Sequence, residues 1–594
     1  MRYHSVDPVR KAPGAVTDAS PRTRSERRSR HAGRDWVLGL LLPIAATCKA
    51  DGISENLTTR ETQRQQEREQ LLQPRTPDVR LQAAPPRLAP ERLPSDESPC
   101  FEIARIELVG DAAAQFQWAL AAADPPGDAA RGRCLGAGGI NLVMKRIQNA
   151  IVARGFITTR ILAAPQDLKS GTLQLTLIPG RIHSIRFATG TDPRATLWNA
   201  FPTGRGDLLN LRDIEQALEN LKRVPTADAD IQIAPAAGEG AGPGDSDLIV
   251  AWKQGSPWRI NLAADDAGGK ATGKYQGSVT VSYDHLWGLN DLFYLSFNHD
   301  LGGGEPGAHD TRGYSAHYSL PFGNWLLSLS GSDYTYYQSV PGPGVTNLYS
   351  GDSQDADIRL TRLLHRDATS KTHASLRGWL RASKNFINDL EVEPQRRRMA
   401  GWELGLGQRR FLGSATLDAN LAYRHGTGAW DALPAPEEPF GEGSSRPRLL
   451  GADVRFEQPF NLGGHPLRYA AVWRAQWNGT PLVPQDRFAI GGRYTVRGFD
   501  GENVLSGDRG WLLRNDIALG LGQSQSLYLG IDHGEVGGPA SADLVGTRLS
   551  GAVLGLRGGY KGLAWDVFAG RPLAKPEHFV TAARVLGFNL NWSL

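Results

Sequence analysis

Lys274 to Asp284 reads KYQGSVTVSYD, and its alternation decides the fold. Tyr275, Gly277, Val279, Val281 and Tyr283 fall on one face, and Gln276, Ser278, Thr280 and Ser282 on the other. Successive side chains of a strand point to opposite faces, so this is a strand with one apolar and one polar side. Gly313 to Leu320 repeats the pattern, setting Tyr314, Ala316, Tyr318 and Leu320 against Ser315, His317 and Ser319. At the end of the chain Leu586, Phe588, Leu590, Trp592 and Leu594 alternate with Gly587, Asn589, Asn591 and Ser593. A soluble sandwich also alternates, but over a core of Val, Ile and Leu. Here aromatic residues recur near strand ends and the opposite face is small and polar, which fits a barrel with lipid outside and water inside. The expected class is therefore mainly β, a transmembrane antiparallel β-barrel over residues 256–594. That length holds roughly 14 to 18 strands of about 10 residues plus turns, with 16 the expected number.

Composition agrees with this reading. The chain has 594 residues, 66 basic and 62 acidic, for a net charge of +4, so bulk charge gives no argument for nucleic-acid binding. It contains no continuous apolar run of the roughly 18 to 20 residues that a membrane-spanning helix needs. Barrel strands escape that test because their alternation averages to a hydrophilic score. There are 3 cysteines, Cys48, Cys100 and Cys134.

Residues 1–50 read as a secretory leader with a long basic n-region. The apolar run from Trp36 to Ala46 is short, arginines precede it, and cleavage is expected after Ala46 or Ala50. Cys48 falls inside this leader, leaving Cys100 and Cys134 as an even pair that an oxidising compartment permits to bond. Residues 51–73, rich in Gln, Glu and Arg, form a polar helix with a thin apolar face, suited to solvent or a polar cavity. Residues 74–99 carry seven prolines and read as an extended linker.

From Cys100 the pattern turns globular. Strands are expected over 101–109, 157–162 and 173–178, and helices over 112–123 and from about 140 to 154. The order β-α-α-β-β then recurs: a strand at 182–187, a short helix near 194–200, a helix capped by Asn210, and strands at 230–234 and 247–253. Residues 100–180 and 181–255 are thus two copies of one small module. A Cys100–Cys134 bridge would close a loop of roughly 35 residues, worth about 3–4 kcal/mol in the chain-entropy model.

Inside the barrel region lies a stretch that is not strand-like, Phe488 to Gly501, FAIGGRYTVRGFDG. Gly491 and Gly492 precede Val496-Arg497-Gly498-Phe499, and an Asp-Gly turn signal follows. An isolated Arg-Gly-Phe would be a solvated surface arginine. A second motif, Gly530-Ile531-Asp532-His533-Gly534, follows at a suitable distance.

Two such modules before a barrel with both motifs resemble the two-partner secretion transporters, the TpsB family of FhaC/ShlB type, within the outer-membrane protein assembly superfamily. The resemblance covers about residues 50–594. It implies that the modules are POTRA domains, that 51–73 is a plug helix, and that a loop near 488–506 folds back into the barrel. It further implies that Arg497 at the tip of that loop pairs with Asp532 on a neighbouring strand. Arginine presents a planar fork to a carboxylate, which lysine cannot copy. The family reading places the protein in a Gram-negative outer membrane with its modules in the periplasm. There they would capture the N-terminal secretion domain of an exoprotein, which a monomeric, lipid-embedded barrel exports unfolded. Outer-membrane barrels commonly end in an aromatic residue, whereas this chain ends in Leu594.

Other chemistry finds little support. Gly268 to Tyr275 nearly spells a phosphate-binding loop, but the final position is not Ser or Thr and a strand follows instead of a helix. The 13 histidines show no HExxH spacing, no cysteine cluster suits zinc, and no G-x-S-x-G elbow occurs, so neither a metal nor a cofactor nor a catalytic residue is expected. Trp287 reads as an interface aromatic. Two other classes share parts of this pattern, an insertase of the same superfamily and a passive channel. The paired modules and plug helix argue against the first, and a porin has no use for periplasmic modules.

Overall fold

The computed structural model describes residues 77–81, 91–342, 344–522 and 524–594. The expected leader and plug helix, and the linker residues 74–76 and 82–90, lie outside them.

In the first module, Thr172–Ile178 is the central strand, parallel to Arg105–Val109 and antiparallel to Arg160–Leu162. The α-helix Ala137–Ala153 packs Ile147 and Ile151 onto Leu173, Leu175 and Leu177, all buried. Two details differ from the sequence expectation. Residues 101–109 form two strands, because Ala104 and Arg105 both donate backbone N–H bonds to Gly171 O; Phe101–Ile103 then pairs with Arg133–Leu135. The segment Ala113–Ala123 is a 3₁₀ helix, and its buried Ala113, Phe116 and Ala119 recur every third residue as that geometry requires. Cys100 and Cys134 are joined by a disulfide beside the short two-stranded pairing.

The second module centres Ser246–Gln254 between Ile182–Phe187 and Ala227–Pro235. Its helix Leu211–Leu221 begins where Asn210 Oδ1 accepts the Arg212 N–H at 2.9 Å. The short helix expected near 194–200 is absent: the segment runs as turns and irregular backbone. Pro202 disfavours helical backbone at the residue before it, and Asn199 is engaged by the barrel rim, donating to Pro321 O and accepting the Gly323 N–H, instead of joining a helical repeat.

Sixteen antiparallel strands close the barrel among the described residues, from Trp258–Asp265 to Val585–Ser593, with the two-residue strand Leu390–Glu391 extending one hairpin. The closing pairing runs from Asn589↔Asp265 to Ser593↔Asn261. The alternation that decided the fold is realised: Val279, Leu295, Ile358 and Leu376 face outward and are exposed, while Gln276, Thr280, Ser282 and Asp284 are buried inside. Barrel closure satisfies the backbone groups between neighbours, which lipid cannot do. The lumen is more charged than the sequence reading expected. Cross-strand pairs line it, among them Arg377 with Asp357, Arg424 with Glu403, Arg409 with Asp418 and Arg474 with Asp453.

Candidate functional site

Between the strands His465–Asn478 and Arg509–Gly520 the chain makes a long excursion that includes residues 488–507. Phe488–Ile490 pairs with Leu505–Gly507 at its neck. Beyond the neck, Thr495 Oγ1 accepts the N–H groups of Gly491 and Gly492, both at 3.1 Å, which tightens the turn. Val496 and Phe499 are buried with Ile490, Leu505 and the wall residues Leu512, Val536 and Leu549, so the loop carries a small apolar core of its own. Gly498 sits at φ 98°, a region that strains any residue with a Cβ, and a Cβ there would also lie 2.4 Å from Arg571 O.

The loop presents Arg497 to the wall. Arg497 Nε donates to Asp532 Oδ2 at 2.7 Å, Nη2 donates to Asp532 Oδ1 at 2.7 Å, and the backbone N–H of Arg497 donates to Oδ2 at 2.9 Å. Both side chains are buried. The same Nη2 donates to Asp516 Oδ1 at 2.6 Å. Arg514 lies 3.9 Å from Asp532 and donates to Tyr494 O at 3.3 Å. Two guanidinium groups therefore face two carboxylates, which leaves the enclosed cluster without net charge and makes its burial tolerable.

The strand motif explains itself once the pleat is considered. Gly530, Asp532 and Gly534 share the inner face of Gln525–Gly537, while Ile531 points outward and is exposed. A Cβ on Gly530 would lie 2.6 Å from both Arg497 Nη2 and Asp516 Oδ1, and one on Gly534 would lie 2.8 Å from Val496 Cγ2. The glycines on either side of Asp532 thus open the space that the loop fills. The structure brings together all the loop and strand residues singled out from the sequence. It adds Asp516 and Arg514, and also Gly551, which the Arg497 backbone carbonyl approaches so closely that a Cβ there would clash; the motifs name none of the three. It also adds Arg493, whose guanidinium pairs with Asp266 and lies 4.9 Å over the Phe568 ring. Asp266 Oδ1 in turn accepts the Phe588 N–H, so Arg493 reaches the seam between first and last strands. Arg514 and Asp516 alternate with Leu513 and Asn515 along Arg509–Gly520, so the period of two places both on the inner face with Leu512.

A second cluster lies where the barrel meets the modules. Arg366, at the end of the strand Thr346–Arg366, donates to Glu215 at 3.0 Å, Gln216 at 3.2 Å, Glu219 at 2.9 Å and Val79 O at 2.5 Å. Glu215 and Glu219 are one helical turn apart on Leu211–Leu221 and so face the same way. They also accept backbone N–H groups from Leu81 and Val79. Lys371 adds a bond to Asp78 at 2.8 Å and pairs with Glu219. Linker residues 77–81 are therefore held between the second module and the barrel. Further along, Glu97 caps the start of Ala137–Ala153 by accepting N–H bonds from Gly136 and Gly138, both at 2.8 Å, so residues 91–99 are fastened to the first module.

The turn containing Gly268 to Tyr275, in which Thr272 is fully buried, leads into the strand Gln276–Asp284, and its Lys270 N–H bonds to Glu502 of the inward loop.

Similarity to known proteins agrees with this architecture. Residues 244–558 match the family described as haemolysin secretion/activation protein ShlB/FhaC/HecB. Residues 101–180 match the POTRA domain of ShlB type and residues 181–235 a POTRA domain. The outer membrane transporter CdiB-2 of Burkholderia pseudomallei is 38% identical over 568 residues, covering 92% of this chain and 94% of that protein. The hemolysin transporter protein ShlB of Serratia marcescens is 26% identical, over 65% of this chain and 67% of its own length. Among solved structures, CdiB from Acinetobacter baumannii matches with a TM-score of 0.81 at 33% identity, covering 91% of this chain and 99% of that one.

Proposed function

The chain belongs to the ShlB/FhaC/HecB family of haemolysin secretion/activation proteins, and on that premise we propose how this outer-membrane transporter of two-partner secretion works. Its POTRA modules capture the N-terminal secretion domain of an exoprotein in the periplasm. Capture uses strand addition at an open sheet edge, where backbone pairing tolerates varied sequence. Among the described residues the outer strands are Arg105–Val109 and Arg160–Leu162 in one module, and Ile182–Phe187 and Ala227–Pro235 in the other; Gln148 already holds the Ile161 N–H, and Gly206 and Asp207 hold the backbone of Ile182. A monomeric barrel embedded in outer-membrane lipid then conducts the exoprotein outward unfolded, with residues 51–73 withdrawn from the pore. No step is catalytic; folding of the product outside biases the direction.

The observation that carries this reading is the buried bidentate pair of Arg497 and Asp532, shared with Asp516, at the tip of a loop folded against the inner wall. It acts as a lock that keeps the loop in the position needed for export. Arg497→Ala takes the bidentate partner from buried Asp532, leaving it Arg514 at 3.9 Å and the backbone N–H of residue 497, and it removes the bond to Asp516, at a cost of about 3 kcal/mol to loop docking. The variant is expected to assemble normally, with unchanged heat-modifiable migration, while export of a co-expressed exoprotein falls at least about tenfold. Arg497→Lys keeps the charge without the fork and is expected to fall between. Full export by Arg497→Ala would remove the lock from the mechanism.

A further inference from the structure

The second module presents one large apolar side chain that its own fold does not use. Trp198 is 62% exposed, although Asn199 and Ala200 beside it are fully buried. The exposure does not come from a loose loop. Asn199 Nδ2 donates to Leu289 O at 2.5 Å and to Pro321 O at 3.1 Å, and Asn199 O accepts the Gly323 N–H at 2.8 Å. Asn290 Nδ2 donates to Asn199 Oδ1 at 2.8 Å and to Thr196 O at 3.2 Å. Asn220 Nδ2 bridges Ala200 O and Gly323 O, both at 2.8 Å. Residues 196–200 are thus stapled to two barrel turns, and the indole is aimed by that staple.

It is aimed at the lipid-facing side. The Trp198 ring lies 5.5 Å from that of Phe322, which stands on the outer face of its strand at the module end of the barrel. Phe322 is paired across the hairpin with Trp325, whose ring lies 4.9 Å below the Arg362 guanidinium. Two and three strands further round the barrel, Tyr283 and Trp258 meet edge to face at 4.7 Å, both on the outer face. Tryptophan and tyrosine collect at membrane–water interfaces because an apolar ring and a polar N–H or O–H suit that layer. Trp198 continues this aromatic belt without belonging to the barrel.

We propose that residues 196–200 of the second POTRA module are a membrane anchor, with Trp198 seated among the phospholipid headgroups of the inner leaflet of the outer membrane. The module is then held at the periplasmic mouth by lipid as well as by the barrel turns, so its sheet edges keep one height above the pore. The continuity with the lipid-facing Phe322 and Trp325 selects lipid over a protein partner as the occupant.

The test uses the full-length protein with Cys48→Ser and Trp198→Cys, labelled with a small polarity-sensitive fluorophore. It is reconstituted in vesicles of phosphatidylethanolamine and phosphatidylglycerol. Vesicle lipids carry a spin-label quencher either just below the headgroup or near the chain end. A label at Glu239→Cys, on an exposed loop of the same module, is the reference. At position 198 the shallow quencher is expected to act several-fold more strongly than at 239, the deep quencher weakly, and aqueous iodide less than at 239. Iodide quenching at 198 equal to that at 239, with indifference to both lipid quenchers, would overturn the anchor and leave Trp198 facing water or a partner protein.

Discussion

A methyl group on Gly551 would lie 1.9 Å from the carbonyl oxygen of Arg497. Backbone must shift to admit it, whereas a methyl on Gly530 meets mainly side-chain ends, Arg497 Nη2 and Asp516 Oδ1. Gly551→Ala is therefore expected to displace the loop and reduce export about as far as Arg497→Ala, and Gly530→Ala to do so less; overpacking of this kind costs about 1–3 kcal/mol or more. Measuring export for both variants alongside protease cleavage within residues 488–507 checks the order, and equal, wild-type behaviour would contradict it. The difference between these glycines also shows what the sequence could disclose at this scale. Asp532 and Gly530 sit in a local motif and share a face by pleat alone. Gly551 is opposite Asp532, and Asp516 opposite Gly530, only once strand register is known. No pattern within a single strand reveals a partner on the next one.

At the scale of elements, the helix Leu211–Leu221 was legible from its Asn210 cap and apolar spacing, yet its most consequential residues are Glu215 and Glu219. Nothing local marks them, because their partners Arg366 and Lys371 come from a hairpin about 150 residues later. Removing Arg366 leaves Glu215 its pairing with Arg212 and Glu219 its pairing with Lys371. Arg366→Ala should thus cost about 2–3 kcal/mol of docking, the value of lost charged hydrogen bonds, and not the full penalty of two bare buried carboxylates. The measurement is hydrogen exchange of 211–221 in the intact protein, which should speed up by more than an order of magnitude; unchanged protection would mean that the apolar contacts alone hold the module. In the first module, hydrogen bonding from the Arg146 guanidinium, with the Leu93 N–H and Arg133 adding to it, pulls the Asp128 carboxyl down to about 2. Because its unfolded value is about 3.9, the stabilisation is complete above about pH 4 and is lost as pH falls through about 2. In pepsin digestion of residues 91–180, the cleavage-rate ratio of Asp128→Asn over wild type should be greatest near pH 4 and approach one near pH 2. A ratio independent of pH would assign Asp128 no ionic role.

For the whole molecule, the barrel and the modules were legible to different depths for one physical reason. A barrel strand declares itself through a period of two and needs no knowledge of its neighbours. The way modules, linker and barrel are joined depends on contacts between residues far apart in the chain, such as Arg366 with Val79 and Asn199 with Pro321. Even the segment expected to be a helix near 194–200 gave up that structure to make such contacts. The same contacts define what the modules contribute. The barrel closes its own hydrogen-bond network, Asn589 to Ser593 against Asn261 to Asp265, without any module residue. Deleting residues 100–254 should then leave a folded, heat-modifiable barrel in the outer membrane, with the Arg497–Asp532 pair intact on the far side of the deletion. Export of a co-expressed exoprotein should nevertheless fall to background, because nothing remains to capture its secretion domain. Comparing this deletion with Arg497→Ala separates the two roles. The exoprotein should co-purify with the Arg497→Ala protein from periplasmic extracts and not with the deletion. If the deletion exported normally, capture would have to reside in the barrel mouth, and the modules would serve assembly alone.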